Sequence, residues 1–303
     1  MKNKLWILLF AVTSFNCSTD DSVEYKSSLT ELDREQFNQY WYTGMAELAS
    51  YELIQLRYGE KRTGQAVIIF VTEDFSKEKQ VKLDFPEKNP EDKISVLKLN
   101  FTKNFQTGIY PYSMMMSVFT PIDRYHYPHS LKATMSSQEW CGQVWHQLNM
   151  DKDHYLSTSQ SYFESEGDQQ NTIGLQRMED ELWSIIRIDY TSLPLGKIKL
   201  IPGLFFTRLN HQPLNTTDAE AVLIENNNGS LTYKITYPEI KRILSITFEN
   251  KTPYKILSWE ETEEKDGQRT TLSQGNLKKT LYTDYWTKNS SKFEYLRDSL
   301  DLN

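Results

Sequence analysis

A chain of 303 residues with a formal net charge of −7 and only two cysteines cannot rest on a disulfide framework, and it lacks the basic footprint that a nucleic-acid partner demands. It is long enough for one large domain or two small ones with a real core. Aromatic residues make up 13% of it, with 18 Tyr and 14 Phe against 12 Gly, which points to aromatic-packed β structure and away from disorder.

The opening stretch, Met1–Asp21, reads as an address. Lys2 and Lys4 form a short positive region, and Leu5–Val12 is an apolar run. Such a run suits a secretory signal and falls far short of the about 20 residues a membrane span needs. Thr13-Ser14-Phe15-Asn16-Cys17 follows, and polar sequence begins abruptly at Ser18. This resembles the lipobox of bacterial lipoproteins, whose signal is cut just before a cysteine that carries acyl chains. Ser14 and Asn16 depart from the Leu and the small residue preferred at those places. Lipidation is expected at Cys17, with an ordinary signal peptide and a chance cysteine as the alternative. Each buried CH₂ contributes about 0.8 kcal/mol, so two or more chains make a lasting anchor. Without residues 1–16, which hold two lysines and no acid, 34 basic residues become 32 against 41 acidic ones. The net charge of −9 disfavours polybasic docking on anionic lipid.

Residues 17–29 are expected to form a lipidated polar tether. Asp20 and Asp21 resemble a surface-export signal of one group of Gram-negative bacteria; the simpler reading is a solvated tether. The expected location is the outer membrane, lipid-anchored, at the periplasmic face or the cell surface. Residues 30–303 read as one β-rich domain, with halves 30–165 and 166–303 as the alternative division. Thr30-Glu31-Leu32-Asp33 resembles a capping box, and Leu29, Leu32, Phe37, Tyr40 and Trp41 approximate a helical face.

From Thr43 the period becomes two. Tyr51–Tyr58 and Gln65–Glu73 flank Gly59–Gly64 as a hairpin. Lys79–Asp84 and Ile94–Thr102 alternate as strands, and Tyr110–Pro121 and Leu131–Leu148 read as two more. Met178–Tyr190 fits a helix burying Met178, Leu182, Ile185 and Ile186, although Ser184–Tyr190 also fits a strand. Ala219–Glu225 and Ser230–Tyr237 meet at Asn228-Gly229; Arg242–Glu249 follows. Tyr254–Glu263 and Gln268–Ser273 meet at Asp266-Gly267, Leu277–Trp286 reads as a further strand, and Phe293–Leu300 as a short helix. The fold expected is mainly β: a large curved antiparallel sheet or incomplete barrel with a few short helices, because such a meander must close or curl over something apolar.

Few stretches suggest chemistry. Gly59–Gly64 has the outer spacing of a phosphate loop, but Gln65-Ala66 replaces Lys-Ser/Thr and a strand follows, so it reads as a hairpin. Ser76-Lys77-Glu78-Lys79 matches S-x-x-K, but the only lookalike of a later motif, Arg62-Thr63-Gly64, precedes it. His126 and His129 stand three apart, yet Pro128 breaks any helix between them. Asp151 and Asp153 begin like a calcium loop that Leu156 and Tyr162 then spoil. These read as turn residues, and neither metal nor cofactor is expected. Glu260–Glu264 reads as a solvated acidic face. Cys141 with His126 or His129 on another strand is a candidate thiol–imidazole pair, weighed against an inert core or pocket-wall cysteine. Trp140, Trp145, Tyr110 and Tyr112 are candidates for an aromatic binding surface. Sequons such as Asn100-Phe101-Thr102 matter only in eukaryotic secretion, which a lipobox contradicts.

Six blocks together resemble an uncharacterised family of Gram-negative envelope lipoproteins often labelled septum formation inhibitor Maf. They are Ala49–Glu60, Ala66–Lys82, Val96–Phe105, Thr107–Met115, Ser136–Gly142 and Glu179–Trp183. The resemblance covers most of the chain after Cys17. True Maf proteins resemble nucleotide pyrophosphatases with a Ser-Pro-Arg-Arg-type motif near the N-terminus, and that motif does not occur here. The resemblance thus implies an envelope lipoprotein and supplies no catalytic residue. The function expected is a non-enzymatic binding or assembly module, held to the membrane by acyl chains on Cys17. Its ligand would be a lipid, a glycan or an envelope protein. A cysteine-dependent hydrolase and a purely structural envelope protein are the alternatives.

Overall fold

A computed structural model of the protein describes residues 31–302; Cys17 and the expected tether lie outside them. The described chain is mainly β. Helix α1 (Glu31–Trp41) leads into β1 (Ala46–Arg57), β2 (Glu60–Ser76), β3 (Lys93–Thr107), β4 (Tyr110–Pro121), β5 (Lys132–Glu139), β6 (Gly142–Asp151), β7 (His154–Ser161) and β8 (Gln169–Gly174). A two-residue β9 (Arg177–Met178) then runs into α2 (Glu179–Asp189), followed by β10 (Gly196–Ile201) and α3 (Leu204–Asn210). Strands β11 (Thr217–Glu225), β12 (Leu231–Tyr237), β13 (Arg242–Phe248), β14 (Ile256–Lys265) and β15 (Gln268–Thr283) precede α4 (Tyr295–Ser299). No described helix is long and apolar enough to cross a membrane.

All 15 strands form one sheet in the order β8-β7-β6-β5-β4-β3-β2-β1-β15-β14-β13-β12-β11-β10-β9. Every neighbouring pair is antiparallel except β9 with β10. The sheet is not closed into a barrel. Its two outermost strands, β8 and β9, are nonetheless joined by Leu175 and Gln176 alone. Gly174 and Arg177 therefore stand at most about 11 Å apart. The edges of a wide sheet meet at one point only if the sheet rolls nearly shut.

Aromatic contacts across the interior show the same curl. The rings of Phe101 on β3 and Trp259 on β14 lie 5.1 Å apart. Three strands separate them, which on a flat sheet is about 19 Å. Trp183 of α2 sits 5.2 Å from Phe101 and 5.8 Å from Trp259, so the helix fills the roll. Every residue of α2 is buried. Period-two alternation supplies the wall: Leu231, Tyr233, Ile235 and Tyr237 face inward opposite Phe248, Ile246, Leu244 and Arg242. Gly275 on β15 is a local requirement, because a Cβ there would fall inside the Trp259 ring.

A helix buried along its whole length still carries ionisable side chains, and Arg187 and Glu179 meet opposite charges on the sheet. Arg187 donates to Glu47 of β1 through two nitrogens, at 2.6 and 2.8 Å, and Tyr40 of α1 donates to the same carboxylate at 2.5 Å. Burial works to raise the Glu47 carboxyl, but the Arg187 charge and these hydrogen bonds hold it below the ordinary carboxylate range. At the other end, Glu179 accepts from both terminal nitrogens of Arg242 and from the Tyr237 hydroxyl, and Arg242 Nε also donates to Glu261 at 2.6 Å. Asp180 accepts the backbone N–H of Leu204 at 2.9 Å and so begins α3. Beside this cluster Lys103 is buried, donating to Ser273 at 2.9 Å, and burial pushes its amine down to about 8.

Several expectations need correction. Lys79–Asp84 is not a strand: Gln80 takes a left-handed φ of 52°, and one isolated bridge, Phe75 with Lys82, is all that pairs there. Leu131–Leu148 is the hairpin β5–β6, turning at Trp140-Cys141 without a glycine-led signal. Leu277–Trp286 is the second half of a single long β15, which runs through Gly275 and past a register shift opposite Ser50/Tyr51. Strands β7 and β8 carry too few apolar residues in period to be read from the chain, and β10 and α3 are too short, at six and seven residues, for their apolar positions to settle a period.

Two outcomes test this account. Glu47→Gln strands a buried guanidinium and is expected to cost about 3–5 kcal/mol in urea unfolding, whereas the Glu47→Met/Arg187→Met double variant recovers most of it. A pair that proves additive would remove the coupling. Burial, joined by the Glu179 charge, pushes the Asp180 carboxyl up to about 8. The folded chain keeps a proton there that the unfolded chain releases near pH 4, so stability from this group is full below about pH 4 and lost as pH rises towards 8. Asp180→Asn should therefore raise Tm at pH 8 to 9 and leave it unchanged near pH 4; a gain of equal size at both ends contradicts the shift.

Candidate binding site at the seam of the sheet

Among the described residues, the roll is left open at the seam between the sheet's two edges, β8 on one side and β9 with β10 on the other. Strand β10 pairs fully with β11 on one side, through Gly196–Leu200. On its other side β9 reaches only Leu200 and Ile201. Beside the uncovered part lies a cavity of about 900 Å³. Its apolar wall is Leu175, Ile198, Leu200 and Ala219, with Pro128, Pro194 and Pro238 around it. A volume in the range of about 300–1,000 Å³ with few convergent polar groups is the usual form of a small-molecule site.

The polar corner of the cavity is built on the start of α2. Glu181, fully buried, accepts the backbone N–H of Ser130 at 2.6 Å and an Arg177 N–H at 3.4 Å, and lies 4.0 Å from Arg124. Arg177 Nη1 also donates to the Pro128 carbonyl at 2.9 Å. These bonds tie the loop between β4 and β5 to β9 and hold His129 against the cavity. Burial pushes the His129 imidazole below its ordinary range, Glu181 working against this and Arg177 with it, so the ring is neutral at pH 7. Its Nδ1 is buried without a hydrogen-bond partner among the described residues, as is Arg177 Nε. Lys197 and Lys199 on the rim stand opposite Glu220 and Asp218 in register.

Of the residues singled out from the sequence, His129 alone lines this cavity. His126 is exposed and bonded to Asp123 at 2.6 Å. Cys141 occupies the β5–β6 turn and is exposed, not a core or pocket-wall cysteine. Both histidines lie in the loop before β5, so the length of that strand, roughly 25 Å, separates them from the thiol. That distance removes the thiol–imidazole pair.

The four aromatic candidates do not share one surface. Tyr112 is buried and stacked on Phe105 with ring centroids 4.9 Å apart. Trp145 pairs with Ser136 on the outer face, whereas Tyr110 and Tyr112 belong to the inner one. Trp140 is 69% exposed at its turn and 6.4 Å from Tyr110. It is one of four exposed residues at alternate turns, all at one end of the sheet: Tyr58, Ile109, Trp140 and Tyr162.

Arg177, Leu175 and the β10 residues were missed in the sequence. The alternation of Lys197 and Lys199 with Ile198 and Leu200 was the available signal for a strand; nothing local marked its open edge.

The cysteine assignment can be measured. The Glu139 carboxylate, by hydrogen bond and by charge, pushes the Cys141 thiol above its ordinary range. Native protein should label with iodoacetamide at Cys141, more slowly than a free thiol at pH 8, and Glu139→Gln should speed the labelling. A thiol that resists labelling until the protein unfolds contradicts the exposed turn. Comparison of the chain with protein-family models, with curated proteins and with solved structures finds no match.

Proposed function

We propose that the protein is a lipid-anchored lipoprotein of the bacterial envelope that acts as a binding module and takes its ligand at the seam of the sheet. Support for the anchor comes from the order of charge, apolar run and Cys17 near the N-terminus. The observation that carries the binding reading is the cavity of about 900 Å³ beside two unpartnered buried nitrogens. An aromatic inner face, the surface expected from composition, is taken up instead by packing: Phe101, Trp183, Phe205 and Trp259 close on one another. The ligand is thus moved from the middle of the sheet to its edge.

A hydrolase pairing Cys141 with His126 or His129 is disfavoured by the strand that separates them and by the raised thiol. An assembly role has one observation in its favour, the exposed apolar tips at Tyr58, Ile109, Trp140 and Tyr162. Exposed apolar residues gathered at one end of a sheet mark contact surfaces more often than scattered ones do.

The anchor is tested by expressing the full chain with labelled palmitate. The native protein should carry label and fractionate with the outer membrane. Cys17→Ala should lose the label and be either soluble and folded or held in the inner membrane with its signal uncut. If the variant still reaches the outer membrane, the lipoprotein reading is wrong.

A further inference from the structure

We propose that the seam cavity takes an amphiphile with an anionic head, the head held by Arg177 and His129 and the apolar tail laid along Leu175, Ile198 and Ala219. This rests on reading the cavity as the binding site and adds the chemical class of its occupant.

The head follows from the donors. Arg177 has a side chain only 6% exposed, and its Nη1 is already engaged by Pro128 and Glu181. Its Nε always carries a hydrogen and has no acceptor among the described residues. A buried donor left unmatched carries its full desolvation penalty; Arg177 lines the cavity, so its guanidinium charge faces any carboxylate or phosphate held there, and a small turn of the side chain would bring Nε onto that oxygen. His129 Nδ1 stands unpartnered beside the same cavity and can donate in the tautomer protonated there. Glu181 accepts from Ser130 and from Arg177 Nη1 and bonds to neither Arg177 Nε nor His129 Nδ1.

The tail follows from the space. A free inorganic anion fills a small part of about 900 Å³, and an apolar wall of Leu175, Ile198, Leu200 and Ala219 runs on from the Arg177 corner, with the charged residues of β10 and β11 at its rim. Lys197 and Lys199, in register with Glu220 and Asp218, stand on the exposed rim and not in the buried corner that Arg177 occupies. An extended peptide is the rival occupant, since the β10 edge from Gly196 to Lys199 has no strand partner on the cavity side. Exposed lysines on an edge strand, however, oppose strand addition. A paired strand would also leave the Arg177 and His129 donors unanswered.

The test uses the full-length protein in phosphatidylcholine vesicles with a diazirine-bearing palmitate, irradiated and mapped by peptide mass spectrometry. Label should concentrate on residues 175–177 and 196–200. Ile198→Glu, which sets a carboxylate on the apolar wall, should lower that yield at least tenfold with an unchanged circular dichroism spectrum. Arg177→Gln should lower it at least fivefold, and the corresponding diazirine alcohol should label at a tenth of the acid's yield or less. Equal labelling by acid and alcohol overturns the anionic head. Label spread over the outer face, or indifferent to Ile198→Glu, overturns the site. Native mass spectrometry of protein isolated from cells separates the two levels. A retained peptide lost in Ile198→Glu defeats the amphiphile but leaves the binding reading standing. Neither labelling nor any retained molecule defeats both.

Discussion

The ion pairs that hold α2 inside the sheet are the constraint on which the rest of the structure depends. A helix with acids at three consecutive positions, Glu179, Asp180 and Glu181, would ordinarily lie on a surface. Here all three are buried, and each is answered by a different part of the fold: Arg242 on β13, the start of α3, and the loop before β5. Acids in a first helical turn are also favoured by the helix dipole. At the far end Arg187 meets Glu47 on β1. Removing one partner of such a pair leaves an uncompensated charge in a low-dielectric interior, which is far more costly than the pair is stabilising. The charges therefore specify where the helix sits more than they add to stability.

That placement decides the shape of the sheet. Because α2 follows directly from β9, and β9 follows β8 after two residues, the chain must bring both edges of the sheet together at the mouth of the roll and then turn inward. A closed barrel would abolish the edges. In this fold the helix and its aromatic neighbours occupy the interior, and the wall stops short of closure between β8 and β10. The seam, the cavity beside it and the cluster of Arg177, Glu181 and His129 all have this single origin. Polar groups line the cavity because the loop before β5 and the start of α2 meet there.

The interior also explains why aromatic content was a poor guide to a binding face. Tyr51, Phe101, Tyr112, Trp183 and Trp259 are consumed in filling a wide roll that aliphatic residues and one helix could not fill alone. Those left outside, Tyr58, Trp140 and Tyr162 among them, sit at turns, where the backbone reverses and side chains have no layer to pack under.

The sequence by itself determined the class of fold and much of its wall. Alternation marked β3, β4 and β11 to β14, Asn228-Gly229 and Asp266-Gly267 marked their turns, and Glu179–Asp189 was readable as a helix, because these signals depend on neighbours two to four residues apart. Only the tertiary structure decided that this helix lies within the sheet and that β8 and β9 are opposite edges. Only it places Cys141 a full strand from His129 and makes Arg177 and His129 share a cavity. Contacts of that kind join residues 140 positions apart, as in Glu47 and Arg187, or 170 apart, as in Lys103 and Ser273. No local period or propensity encodes them. They appear when the sheet curls and burial forces each charge to find its partner.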